Sequence, residues 1–130
     1  MNQAPVKWVS KQQQTVEMSA FSSEFITMKQ CIEDVEHICF KLRMFSIPIS
    51  KQYPETHIYC DNKSLVNNTL MVESTLNKKH SSVAYHIARW NVAASVIKVA
   101  WKATGENLAD ALTKLLSETT REYLFQKWTY

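Results

Sequence analysis

The chain has 130 residues, a formal net charge of +3, 45% apolar residues and a single glycine. Average usage of about 7% would give about nine glycines, so a P-loop or a dinucleotide-binding loop, each built on several glycines, is excluded, as are collagen-like and glycine-rich linker classes. Length and apolar content fit one domain with a core of its own, built from helices whose connections need no left-handed residue rather than from tight glycine hairpins. No run of about 18 apolar residues is present to span a membrane. The first eight residues carry no apolar signal segment. Cys31, Cys39 and Cys60 form no CxxC pair and leave one cysteine odd, so they read as buried thiols of an intracellular, reducing compartment.

In chain order, Val6-Lys7-Trp8-Val9-Ser10-Lys11 alternates apolar and polar residues, which is strand period. A polar connector through Gln12-Gln13-Gln14 follows. Phe21, Phe25, Met28, Ile32, Val35, Cys39 and Leu42 then recur at spacings of four and three, which predicts one long amphipathic helix from Ser19 or Ser22 to about Phe45. Thr56-His57-Ile58-Tyr59-Cys60 is β-branched or aromatic and bounded by Pro54 and Asn62, a buried strand. Asp61-Asn62 opens a short helix with Leu65 and Val66 on its apolar side, and residues 67–80 are polar and irregular. Ser82 to Ala94 is a helix and Val96 to Trp101 a second strand. Lys102 to Glu106 is a loop, after which Asn107 caps a last helix with Leu108, Leu112, Leu115 and Leu116 on one face. The alternation argues for an α/β layer architecture.

Three acids stand out by position. Glu24 borders the apolar stripe of the long helix, where burial is costly without compensation, although a snorkelling flank residue would also sit there. Asp61 ends a buried strand, at the edge where open α/β sheets bind ligands, although turns before helices also favour Asp. Asp110 lies in the first turn of the last helix, where it would complement the dipole regardless of any other role. Together the three could converge above one sheet edge. Clustered carboxylates suit magnesium-like cations, and two such ions about 4 Å apart can clamp the oxygens of a phosphodiester.

The run Trp8-Val9-Ser10-Lys11-Gln12-Gln13-Gln14-Thr15-Val16-Glu17, with Ser22-Ser23-Glu24-Phe25-Ile26, resembles the C-terminal ribonuclease H domain of copia-type retrotransposon polyproteins. The resemblance continues through Ile58-Tyr59-Cys60-Asp61-Asn62-Lys63-Ser64, Lys78-Lys79-His80, Tyr85-His86-Ile87-Ala88-Arg89 and Ala109-Asp110-Ala111-Leu112-Thr113-Lys114. It covers about residues 4–116, in order, and leaves 117–130 as a C-terminal helical extension. It implies a ribonuclease H-like mixed sheet with flanking helices, and cleavage of the RNA strand of RNA/DNA hybrids with two divalent ions, Mg2+ or Mn2+. The family's catalytic set is four carboxylates. Glu24, Asp61 and Asp110 match three of them, as catalytic residues and metal ligands.

The fourth, an Asp on the family's first strand, lies well upstream of the Trp-x-Ser-Lys motif, and only five residues precede Val6 here. The chain is therefore expected to be N-terminally truncated, to lack the family's first two strands, to bind metal weakly and to be inactive in isolation. Against the family's strand order 3-2-1-4-5, residues 6–10 match strand 3, Thr56–Cys60 strand 4 and Val96 to Trp101 strand 5. Without strands 1 and 2, strand 3 is expected to pair with strand 4, or a partner or second copy to supply a strand. The low glycine count is then expected to be in part a trace of that missing hairpin, and Gly105 is expected to serve a tight turn before the last helix. Ribonuclease H domains often carry a His in that loop; Lys102 to Glu106 has none.

Residues 1–69 carry seven basic and seven acidic side chains and residues 70–130 eight and five, so the positive excess lies in the second part. Lys79, His80 and Arg89 are candidates for phosphate contacts, or belong to an ordinary solvated helix face. His80 and His86 are six apart, roughly 240° around a helix, and share no face for a metal. Trp90 and Trp101 are core residues or stacking platforms. Two further readings stay open: a non-catalytic nucleic-acid binder using the basic second part, and an interaction protein whose long helix forms a coiled-coil seam.

Overall fold

A computed structural model describes residues 7–10, 20–47, 56–74 and 81–129. Its elements are α1 (Ala20–Met44), β1 (Thr56–Cys60), α2 (Lys63–Leu70), α3 (Ser82–Ala93), β2 (Ile97–Trp101), α4 (Asp110–Thr113) and α5 (Glu118–Thr129), with a 3-10 turn at Thr104–Glu106. The protein is α/β, and β1 and β2 form a parallel pair. By contacts the chain divides into two units, Val16–Trp101 and a second made of Met1–Thr15 with Lys102–Tyr130.

The Val16–Trp101 unit holds the main core. The expected stripe of α1 is inward where it matters: Phe25 and Ile32 are fully buried and Met28 nearly so. Full burial stops after Ile32, Val35 packs against the core only in part, and the last turns of α1 leave Phe40 and Met44 exposed. Lys41 and Arg43 lie in the last turn, where cations complement the helix dipole. Phe25 meets Tyr85 of α3 edge-on, with ring centroids 5.7 Å apart, a favoured aromatic geometry. Leu65 and Val66 of α2 are buried as their spacing predicts.

β1 and β2 run in register from Thr56 opposite Ile97 to Cys60 opposite Trp101. The connection between them carries α2 and α3, the long crossover that a parallel pair requires. Period-two alternation sorts the faces. Ile58, Ile97 and Val99 point into the core, while His57, Tyr59 and Lys98 are exposed. The adjacency expected of strands 4 and 5 is thus observed.

Two helices end in a way the composition argument did not anticipate. Ser46 and Ser95 adopt positive φ, 55° each. After α1, the Ser46 N–H donates to Arg43 O and the Ile47 N–H to Leu42 O. After α3, the Ser95 N–H donates to Val92 O and the Val96 N–H to Asn91 O. Both are Schellman caps, whose left-handed residue is usually glycine. The loops do use left-handed residues, and serines occupy them at a cost of roughly 1–2 kcal/mol each. Gly105, by contrast, has no positive φ. It sits in the 3-10 turn with open space where a Cβ would go, so the expected tight turn makes no demand for glycine.

Two further expectations are corrected. Lys7–Ser10 has no strand structure and is exposed, with Trp8 67% and Val9 53% accessible. Alternation makes a strand only where a neighbour completes its hydrogen-bond ladder, and among the described residues β1 pairs with β2 alone. The strand expected at residues 6–10, which was to pair with Thr56–Cys60, is therefore absent at residues 7–10; Val6 itself lies outside the described residues.

The last helix is the second correction. The Asn107 side chain accepts from Ala109 N at 3.2 Å, but the helix that follows spans only Asp110–Thr113, because Lys114 is extended. Ser117 then starts α5: its hydroxyl accepts from Thr120 N at 3.3 Å and its carbonyl accepts from Arg121 N. A strong N-cap residue three positions beyond Lys114 divides the run. The four-leucine face is broken, and Leu115 is fully exposed.

Candidate active site

Within the Val16–Trp101 unit, the carboxyl end of β1 gathers side chains from three elements. β1 ends at Cys60, and only Asp61 and Asn62 separate it from α2. Asn62 is the N-cap of α2, and its Oδ1 accepts from Leu65 N at 3.2 Å. The Nδ2 of the same side chain donates to Glu24 Oε2 at 2.5 Å. One amide thus joins the start of α2 to an acid near the start of α1. Glu24, Asp61 and Asn62 are all half-buried.

The Cys60 thiol reports on the same place. Burial pushes it above the ordinary thiol range, and the Glu24 and Asp61 carboxylates push the same way. A backbone hydrogen bond at Asn62 pulls it partly back. Both carboxylates are therefore close enough to act on one sulfur atom. Trp101, in register with Cys60, closes the strand end: its indole N–H donates to Asp61 O at 3.0 Å. Lys63 Nζ lies 4.3 Å from the centroid of that ring, within cation–π range. Trp101 is 45% exposed, so it belongs to the rim of this site rather than to the core.

Two half-buried carboxylates at one strand end fit a hard divalent cation. Magnesium commonly takes one or two carboxylates and completes its shell with water or substrate oxygens. Within neither unit do three His, Cys, Asp or Glu side chains gather as a metal site among the described residues.

Asp110 lies in the second unit and is buried there, 5% exposed. Its Oδ2 pairs with Lys114 Nζ at 2.9 Å. Arg89, a candidate phosphate contact, is turned to its own fold. Its guanidinium donates to Val72 O at 2.7 Å and Ser74 O at 3.0 Å, and to the Tyr85 hydroxyl, which itself donates to Ser74 O. It braces the chain between α2 and α3. Lys79 and His80 lie outside the described residues.

Sequence reasoning missed the amide tie from Asn62 to Glu24 and the bracing role of Arg89. The cap position of Asn62 was readable from the strand-to-helix change. Its second bond spans 38 residues, and no local pattern announces it.

No family model matches the chain, and no solved structure matches it. Curated relatives do. The chain is 31% identical over 118 residues, 88% of its length, to the retrovirus-related Pol polyprotein from transposon RE1 of Arabidopsis thaliana. It is 30% identical over 126 residues, 95% of its length, to that from transposon RE2 of the same plant. It is 29% identical over 111 residues to that from transposon TNT 1-94 of Nicotiana tabacum, covering 85% of the chain. The chain spans 8% of the length of each of these relatives. Over most of its length, the chain is a homologue of a short segment of retrovirus-related Pol polyproteins.

Proposed function

We propose that the chain is the ribonuclease H-type portion of a copia-type retrotransposon polyprotein, built to act on the RNA strand of an RNA/DNA hybrid, and that these 130 residues are catalytically silent by themselves. The observation that carries this reading is the hydrogen bond that holds Glu24 to Asn62, next to Asp61 at the carboxyl end of β1, because both acids fall in the motifs that resemble that domain. The parallel β1–β2 pair, with its helical crossover, supports the same architecture.

A bound divalent cation would supply charge stabilisation and activate the attacking water. The protein's part is to present Glu24 and Asp61 as oxygen donors at one strand end, with the Glu24 carboxylate held by Asn62. Lys63 and Trp101 sit at the rim, where a cation and an exposed ring suit a nucleic-acid backbone and base. The silence follows from the inventory. No Asp or Glu precedes Glu17 in the 130 residues, and Lys102 to Glu106 holds no His. Glu24, Asp61 and Asp110 match three of the four carboxylates in that family's catalytic set.

Retention on an immobilised RNA/DNA hybrid, with Mn2+ or with a chelator, tests the reading. Retention should rise with Mn2+, the rise should vanish in Glu24→Gln and Asp61→Asn, and the RNA should stay intact. Retention indifferent to Mn2+ and to both substitutions would overturn the nuclease-type site. RNA cleavage abolished by Asp61→Asn would overturn the silence.

A further inference from the structure

We infer that Asn62 is the positioning residue of this site: its side-chain amide fixes the Glu24 carboxylate at the end of β1 beside Asp61, as a function separable from its capping of α2. The inference rests on the proposed nuclease-type reading for its purpose, but not for its geometry.

The geometry uses both ends of one short side chain. Oδ1 accepts from Leu65 N and so satisfies an N-terminal donor of α2, while Nδ2 donates to Glu24 Oε2. Capping locks the side chain's rotamer, because Oδ1 must face the helix. With the acceptor end committed, the donor end has one direction left, and Glu24 lies in it. Asn62 itself has little freedom, since Asp61 and Asn62 alone bridge β1 and α2, and the Asp61 carbonyl is pinned by the Trp101 indole. Leu65, the residue whose N–H is capped, is fully buried, so the helix start is anchored in the core. The chain of constraints runs from Leu65 through the Asn62 amide to Glu24. A glutamate has three rotatable bonds before its carboxylate, and holding one in place before a cation arrives removes an ordering cost from binding.

Other residue types show why both functions need Asn. Ser and Asp also cap helices well. Neither has a donor at the reach of Nδ2: Ser is shorter, and Asp would set a second negative charge against Glu24. Capping alone would admit all three, whereas capping together with carboxylate orientation selects Asn.

The test separates the two functions with Asn62→Ser, which keeps a capping oxygen, and Asn62→Ala, which keeps neither bond. The first readout is NMR of the Asn62 side-chain amide in the 130-residue chain without metal. A bonded Nδ2 proton should be shifted downfield and protected from exchange, and Glu24→Ala should abolish both effects while leaving the Leu65 N–H protected. The second readout is Mn2+ titration followed by paramagnetic broadening of the signals of residues 61–63. Asn62→Ser should keep the helix content of the parent and bind Mn2+ roughly tenfold more weakly, the scale seen when a residue that orients a metal ligand is removed.

A wild-type amide signal insensitive to Glu24→Ala overturns the inference, as does unchanged Mn2+ affinity in a folded Asn62→Ser. If the amide signal responds to Glu24→Ala but no Mn2+ binds, the positioning contact stands and the nuclease-type reading fails. If Mn2+ binds and the amide signal is absent, the reading stands and the positioning role fails.

Discussion

Leu65 and Leu115 were each expected on the apolar side of a helix, and they end at opposite extremes. Leu65 is fully buried and Leu115 fully exposed. The difference separates the two units of the chain. In Val16–Trp101, α2 starts at an N-cap tied to α1, and the face bearing Leu65 and Val66 has strands and α3 to pack on. In the second unit the face of Leu108, Leu112, Leu115 and Leu116 is cut by an extended Lys114 and a new helix start at Ser117. Helical periodicity thus names a face that could be buried. A fixed helix start and a complementary surface decide whether it is.

The largest effect that could sharpen this contrast is Phe25→Ala. Truncating that fully buried ring should destabilise the fold by about 3–5 kcal/mol, seen as a large fall in the urea midpoint. Leu115→Ala should leave the midpoint where it was, and an equal fall in both would break the contrast. Next is Arg89→Met, which strips donors from the carbonyls of Val72 and Ser74 and should cost about 1–3 kcal/mol. Amide exchange should quicken at residues 71–74; a loss of hybrid binding with no loss of stability would instead return Arg89 to the nucleic-acid surface.

A smaller effect, of opposite sign, comes from exchanging glycine usage. Ser95→Gly removes a left-handed Cβ and should stabilise by about 1 kcal/mol. Gly105→Ala adds a Cβ to open space at an ordinary φ and should stabilise by about 0.4–1 kcal/mol. Thermal melts of the two variants check both signs. The smallest effect is expected for Lys114→Met in the second unit, since its partner Asp110 is buried but Lys114 is 47% exposed. Solvent at the Lys114 end screens the pair, which contributes about 1 kcal/mol or less.

Most elements were readable because local signals agreed. The span of α1 follows from its stripe, and β1 from β-branched and aromatic residues between Pro54 and Asn62. Where one signal stood alone, the reading failed. Residues 7–10 have alternation without a ladder partner among the described residues, and the last helix has spacing without regard for the rival cap at Ser117. A single glycine implies connections without left-handed residues, yet Ser46 and Ser95 show that chain direction can outweigh a local penalty of about 1–2 kcal/mol. At the site, Glu24 and Asp61 are visible from their motifs, whereas the amide bond that holds Glu24 beside Asp61 joins residues 24 and 62, which only the fold brings together.

That meeting of Glu24 and Asp61 is the claim on which the functional reading stands, and Cys60 tests it without metal or substrate. Its thiol is raised by burial and by both carboxylates, so at pH 8 less of it is thiolate than in an ordinary cysteine, and it should be alkylated slowly. Removing either charge should lower its pKa. Site-resolved mass spectrometry of iodoacetamide labelling against pH, in the parent, Glu24→Gln and Asp61→Asn, is the direct measurement. The account predicts faster Cys60 labelling and a pH profile moved to lower pH in both variants. A Cys60 profile that moves in neither variant would contradict the placement of the two acids at one strand end.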